Sequence, residues 1–155
     1  MPGNIRIPQL VGAYRAAPPT SWGLHLTLRL TPTPQIMVDR VLGDFELNDK
    51  YLREAKALME EGDYVQASEK FWGAAAGMVR AVAAKRDIEI RSHGELHGFA
   101  SRLGRELNDP ELPRFFGTAA TLHQNFYENW LPPEAVKDYG EAVKELVERL
   151  KRLMG

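Results

Sequence analysis

Three histidines in the second half of the chain carry most of the chemistry this sequence offers. His93 and His97 stand four residues apart, so on a helix their rings share one face, which is a two-ligand start for zinc. Zinc normally takes three protein groups and an open position, or four. The chain has no Cys, so His123 or a carboxylate from another helix would have to complete such a site. The blander assignment caps a helix with His93 and lays His97 over the edge of the core.

His123 sits differently. The apolar arc of its segment holds Phe115, Phe116, Ala119, Ala120, Phe126, Tyr127 and Trp130, and His123 falls near the middle of that arc. A polar ring there needs a partner, because leaving it unpaired costs about 1–3 kcal/mol. Two readings stay open. The ring is a core histidine bonded to a backbone carbonyl or a tyrosine, or it opens with Tyr127 and Asn125 into a groove that binds a ligand or another subunit. Lys85, Arg86, Arg91, Arg102 and Arg105 gather near one end of two helices, but Asp87, Glu89, Glu95 and Glu106 dilute them. That pattern reads as a solvated face with weak capacity for phosphate. No Gly-rich phosphate loop, Ser-His-Asp set or recognisable carboxylate pair occurs, and no motif requires a cofactor.

The elements that position these residues follow from composition and periodicity. The chain has 155 residues, 20 Lys and Arg against 21 Asp and Glu, and 44% hydrophobic content. One domain of that length buries roughly 70% of the surface its unfolded chain exposes. A net charge of −1 gives no global field toward nucleic acid or an anionic membrane. No apolar run approaches the roughly 18 residues needed to span a bilayer, and no signal-peptide layout opens the chain. A cytoplasmic protein is expected.

Residues 1–36 hold six of the ten prolines and three arginines (Arg6, Arg15, Arg29), with no Asp, Glu or Lys. Within them Trp22, Leu24, Leu26, Leu28 and Leu30 alternate with polar residues, the period of a strand. Ile5-Arg-Ile7 could pair with it. A lone two-stranded ribbon is marginal, so residues 1–46 are expected as an extended or β-hairpin arm lying on the body or on another subunit.

Residues 47–155 read as helices. The first is expected from Asn48 to Glu61, with Gly62 ending it and Asp63 capping the second, Tyr64 to Lys85. Ser92-His-Gly-Glu95 is a capping box that starts the third. Asp109-Pro110-Glu111 starts the fourth, Pro132-Pro133 ends it, and the fifth runs from Glu134 to Met154. Gly94, Gly98 and Gly104 in the third helix suggest close packing against it. Apolar stripes joined by short turns predict an all-α antiparallel bundle of about five helices. The Gly62-Asp-Tyr64 hairpin imitates a tetratricopeptide turn, but the pattern does not return after about 34 residues, which excludes a solenoid.

At that hairpin the chain resembles a known group. Gly62-Asp-Tyr-Val-Gln-Ala-Ser-Glu-Lys-Phe-Trp-Gly-Ala-Ala-Ala76 resembles the signature of the archaeal PaREP family, with Ser92-His93-Gly-Glu-Leu96 and Leu122-His123-Gln-Asn-Phe-Tyr127-Glu fitting further stretches. The likeness covers about residues 47–152 and leaves the arm outside. It implies a fold similar to HEPN domains, helical bundles that commonly form homodimers and include ribonucleases and toxin–antitoxin components.

The HEPN nuclease pattern is an Arg, four to six residues, then a His, near the start of the last long helices. Here Arg86 to His93 has that spacing, too early in the chain. At the expected place the sequence reads Gln124-Asn125-Phe-Tyr-Glu128-Asn129, without the cation or the base. The resemblance therefore implies a non-catalytic binding module, a homodimer or one working with a protein partner. The alternative is an RNA- or nucleotide-related enzyme or toxin–antitoxin component using Arg86, His93 and His123.

Overall fold

The computed structural model describes residues 33–155, which form five α-helices and, among the described residues, no strand. They are α1 (Pro34–Glu60), α2 (Tyr64–Lys85), α3 (His93–Glu106), α4 (Glu111–Glu128) and α5 (Pro133–Met154). Arg40–Gly155 is one compact unit; of the other, Met1–Asp39, only the cap and first turns of α1 are described. The proposed strands at Trp22–Leu30 and Ile5–Ile7 lie outside the described residues.

Four of the five starts agree with their local signals. Asp63 accepts a hydrogen bond from the Gln66 N–H (3.1 Å), and Gly62 supplies the left-handed turn at φ +82°. Ser92 Oγ accepts from the Glu95 N–H (3.1 Å), while Glu95 reaches back to the Arg91 N–H (2.7 Å). The first helix departs from expectation: it begins at Pro34, not Asn48, so residues 34–46 are helical and not an extended arm. Thr33 Oγ1 accepts from the Ile36 N–H (3.2 Å), and Pro34 occupies the first turn, where a missing N–H costs nothing.

α2 is the central helix. All of its alanines but Ala84, with Phe71, Trp72, Met78, Val79 and Val82, are buried, and α3, α4 and α5 pack against it. Close approach is built in at Gly140 of α5, where a Cβ would fall 2.5 Å from the Phe71 ring. In α3 only Gly104 has such a role, against Pro113; Gly98 has nothing within 4 Å of a Cβ position. From the other side α1 lays Tyr51 over Gly73, and Asn48 Nδ2 donates to the Ala74 carbonyl (2.8 Å).

The bundle is not antiparallel throughout. Trp72 meets His93 at the start of α3, and Arg86, just past α2, meets Glu106 at the end of α3. The two helices therefore run in the same direction. From Trp72 to Arg86 the rise is about 21 Å, and residues 86–92, extended at about 3.3 Å each, are long enough to return that distance. α4 then runs against α2, bringing Asn125 to Ser68 and His123 to Glu69, and α5 runs with α2, bringing Gly140 to Phe71 and Met154 to Lys85. No described helix is long and apolar enough to cross a membrane.

Candidate functional site

The register of α2 against α4 sets Glu69 and Trp72, one turn apart on α2, opposite His123 and Tyr127, one turn apart on α4. His123 Nδ1 lies 2.8 Å from Glu69 Oε1, a contact in which the ring N–H donates to the carboxylate and which fixes the ring. Trp72, almost fully buried, stacks on one face of the imidazole with centroids 4.7 Å apart and planes at 20°. The parallel course of α3 delivers His93 edge-on to both, 5.1 Å from His123 and 5.4 Å from Trp72. Tyr127 stands edge-on to His123 at 5.3 Å.

Exposure rises outward through this cluster. The His123 side chain is 19% exposed and that of Glu69 33%, whereas Tyr127 is 71% exposed and Trp130, just beyond α4, 51%. His123 thus has neither expected partner, carbonyl nor tyrosine hydroxyl, but a carboxylate. Among the described residues no Lys or Arg pairs with Glu69 or sits over the rings of Trp72 or Tyr127. The arrangement can hold a proton acceptor in place and offer aromatic surface. Among the described residues it has no Lys or Arg to stabilise developing phosphoryl charge.

Asn125, expected in the groove beside them, is 1% exposed and serves the backbone. Its Oδ1 accepts from the N–H groups of Trp130 and Leu131 (both 2.8 Å), and its Nδ2 donates to Ser68 Oγ (3.0 Å). Ser68 in turn donates to the Tyr64 carbonyl (2.8 Å). Asn125 therefore braces the turn that carries Trp130; it does not line the groove. Burying its amide demands partners on both ends: the turn after left-handed Asn129 (φ +48°) supplies the two donors and Ser68 of α2 the acceptor.

Arg86 and His93 are drawn apart. Arg86 grips Glu106 with two bonds of 3.0 and 2.7 Å, while His93 faces Trp72 and His123. The hydrogen bonds to Glu106 raise the Arg86 guanidinium further above its ordinary range, and the same bonds hold the Glu106 carboxyl below its own. His93 and His97 also separate, His97 turning its ring edge to Phe116 at 4.9 Å. They do not start a metal site: among the described residues no three His, Cys, Asp or Glu are grouped to hold a metal ion. Glu69 and Trp72 were not singled out by spacing within any one segment. The available signal was two pairs one helical turn apart, but matching them needs the inter-helix register.

With this geometry in hand, the chain can be set beside known proteins. A model of the archaeal PaREP1/PaREP8 family matches residues 44–147. The chain belongs to that family. The matched part of this PaREP1/PaREP8 chain contains every residue of the cluster, from Glu69 to Tyr127, and stops short of the last turns of α5. A crystal structure of a protein from Sulfolobus solfataricus is similar at 25% identity and a TM-score of 0.64, over 70% of this chain and 97% of that one. No curated protein matches the PaREP1/PaREP8 chain.

Proposed function

We propose that the chain is a non-catalytic, HEPN-like binding module that recognises a protein surface, in a homodimer or in another chain, through the α2–α4 face around His123 and Tyr127. The observation that carries this reading is the exposure of Tyr127, edge-on to an imidazole already fixed by Glu69, with exposed Trp130 just beyond the end of the same helix. Tyrosine and tryptophan at the rim of a rigid, half-buried polar group are the residue types that dominate protein interfaces. The absence of a neighbouring cation among the described residues argues against phosphate chemistry at the same place.

A second reading, an RNA- or nucleotide-related enzyme, has one observation in its favour. His93 and His123 lie 5.1 Å apart and one is oriented by a carboxylate, which is the layout of an acid–base pair. Arg86 contributes nothing to it, being held by Glu106.

Light scattering at micromolar concentration, alone and with proteins co-purified from native cells, tests the first reading against a single-turnover RNA cleavage assay. The expected result is an association that Tyr127→Ala with Trp130→Ala weakens about tenfold or more, with helicity unchanged and RNA intact. RNA cleavage that stops on His93→Ala or His123→Phe would establish the enzyme reading instead.

A further inference from the structure

The protein-binding reading of this face has a chemical consequence, because the one carboxylate in the aromatic cluster is paired with an imidazole and keeps an oxygen open. Each of the other ion pairs among the described residues joins its carboxylate to Lys or Arg, as Glu54 to Lys70, Glu106 to Arg86 and Asp109 to Arg149 do. Glu69 alone is paired with an imidazole, through Oε1 only; among the described residues nothing donates to its Oε2. It is a third exposed, and a turn away along α4 stands the open ring of Tyr127. His123 Nδ1 holds Oε1 and so leaves Oε2 as the carboxylate's open acceptor. Among the described residues the face therefore offers an open carboxylate oxygen and aromatic surface, and no Lys or Arg paired with them.

Resting on the protein-binding reading, we infer that this face takes up an arginine side chain presented by a different protein. The guanidinium donates to Glu69 Oε2 and lies against the Tyr127 ring. Charge complementarity selects it. A free carboxylate repels phosphate and carboxylate ligands, and Glu128, next to Tyr127 in the chain, carries the same sign. Arginine is favoured over lysine because a planar guanidinium can donate to a carboxylate and stack on a ring at once, whereas an ammonium is a strongly hydrated point charge. The bundle already shows that combination where Arg149 bonds Asp109 and Glu111 while lying over the Phe115 ring at 5.0 Å.

The test uses the full-length protein and follows the His123 imidazole and Trp130 indole signals by NMR during titration with N-acetyl-arginine amide. N-acetyl-lysine amide and oligouridylate serve as the comparison probes. Saturable shifts at millimolar arginine amide, about fivefold weaker for the lysine amide, support the inference. Glu69→Gln, which keeps an acceptor but removes the charge, should weaken arginine binding about tenfold, and Tyr127→Ala should weaken it with circular dichroism unchanged. No saturation, an unaltered Glu69→Gln, or tighter binding of oligouridylate overturns it. Should the protein associate through Tyr127 and Trp130 while arginine amide neither binds nor competes, the inference fails and the protein-binding reading stands. Loss of both means that the face is not an interface. If arginine amide instead dissociates a self-associated form of the protein, the arginine belongs to a second copy, and its assignment to a different protein is overturned.

Discussion

The two ends of α4 are made from similar materials and do opposite things. At its start, Arg149 reaches from α5 to Asp109 (2.9 and 3.0 Å) and Glu111 (3.0 Å), takes Glu145 on its own helix (3.2 Å) and covers Phe115. At its end, Glu69 reaches from α2 to His123, and Trp72 and Tyr127 supply the aromatic surface. Both are clusters of charge and ring between helices. The first is closed: its cation has more carboxylates than it needs, and those bonds raise the guanidinium well above its ordinary range. The second has an acceptor surplus and an exposed ring. Unspent hydrogen-bonding capacity, not the mere presence of polar residues, separates a surface that recognises something from one that holds the bundle together.

The largest effect should come from the residue that supports the open end without belonging to it. Asn125→Ala removes the acceptor for two N–H groups in a partly buried turn, and about 2–3 kcal/mol of stability should go with it. The urea midpoint measures this. A loss below about 0.5 kcal/mol would mean that the turn finds other partners, and Asn125 would return to consideration as a groove residue.

Next comes the closed end. Arg149→Met keeps much of the side-chain volume over Phe115 but abandons three carboxylates, for an expected loss of about 1–2 kcal/mol, partly screened because the guanidinium is in contact with solvent. The difference from wild type should shrink in high salt. Binding at the far end of α4 should not change, and any change there would erase the distinction between the two clusters. His123→Phe is expected to do the reverse. A ring of similar size keeps the contact with Trp72, so stability should move by about 1 kcal/mol or less, while the association attributed to Tyr127 and Trp130 weakens. An unchanged association with unchanged stability would make His123 a filler.

The same distinction explains what could be read from sequence. Caps are local, so Asp63, Gly62 and Ser92 marked their helix boundaries correctly. The expected first helix is too short because Pro32 and Pro34 look like part of the proline-rich arm, although Thr33-Pro34 is a cap followed by a first-turn proline. Val38, Val41, Phe45, Asn48, Leu52, Ala55 and Met59 already carry the alternating spacing of three and four that a helix needs. The parallel course of α3 depends on where an extended linker leads, and helical periodicity says nothing of direction. His123 and Tyr127 were visible as candidates because their oddity, a polar ring in an apolar arc, lies within one helix. Their partners Glu69 and Trp72 lie 54 and 51 positions before His123 and became neighbours only through the register of α2 on α4. Asn125 was misplaced for the same reason, since its partners Ser68, Trp130 and Leu131 come from a second helix and a turn.

The smallest effect concerns Arg86, whose pairing places it with the closed cluster. Its bonds hold the Glu106 carboxyl below the usual range, so Glu106 releases its proton more readily in the folded chain than in the unfolded one. The sign follows: the pair stabilises above the unfolded carboxyl value and loses that contribution as pH falls through the depressed folded value. Arg86→Ala should return the Glu106 titration, followed by its side-chain carbon resonance, upward to the ordinary carboxylate range and flatten that part of the acid limb of stability. Both groups face solvent, so the change in overall stability should be slight. Association through Tyr127 and arginine-amide binding should be untouched. An Arg86→Ala protein that lost either would show that the far ends of α2 and α3 communicate with the His93–His123 end, and the two clusters could no longer be treated as independent.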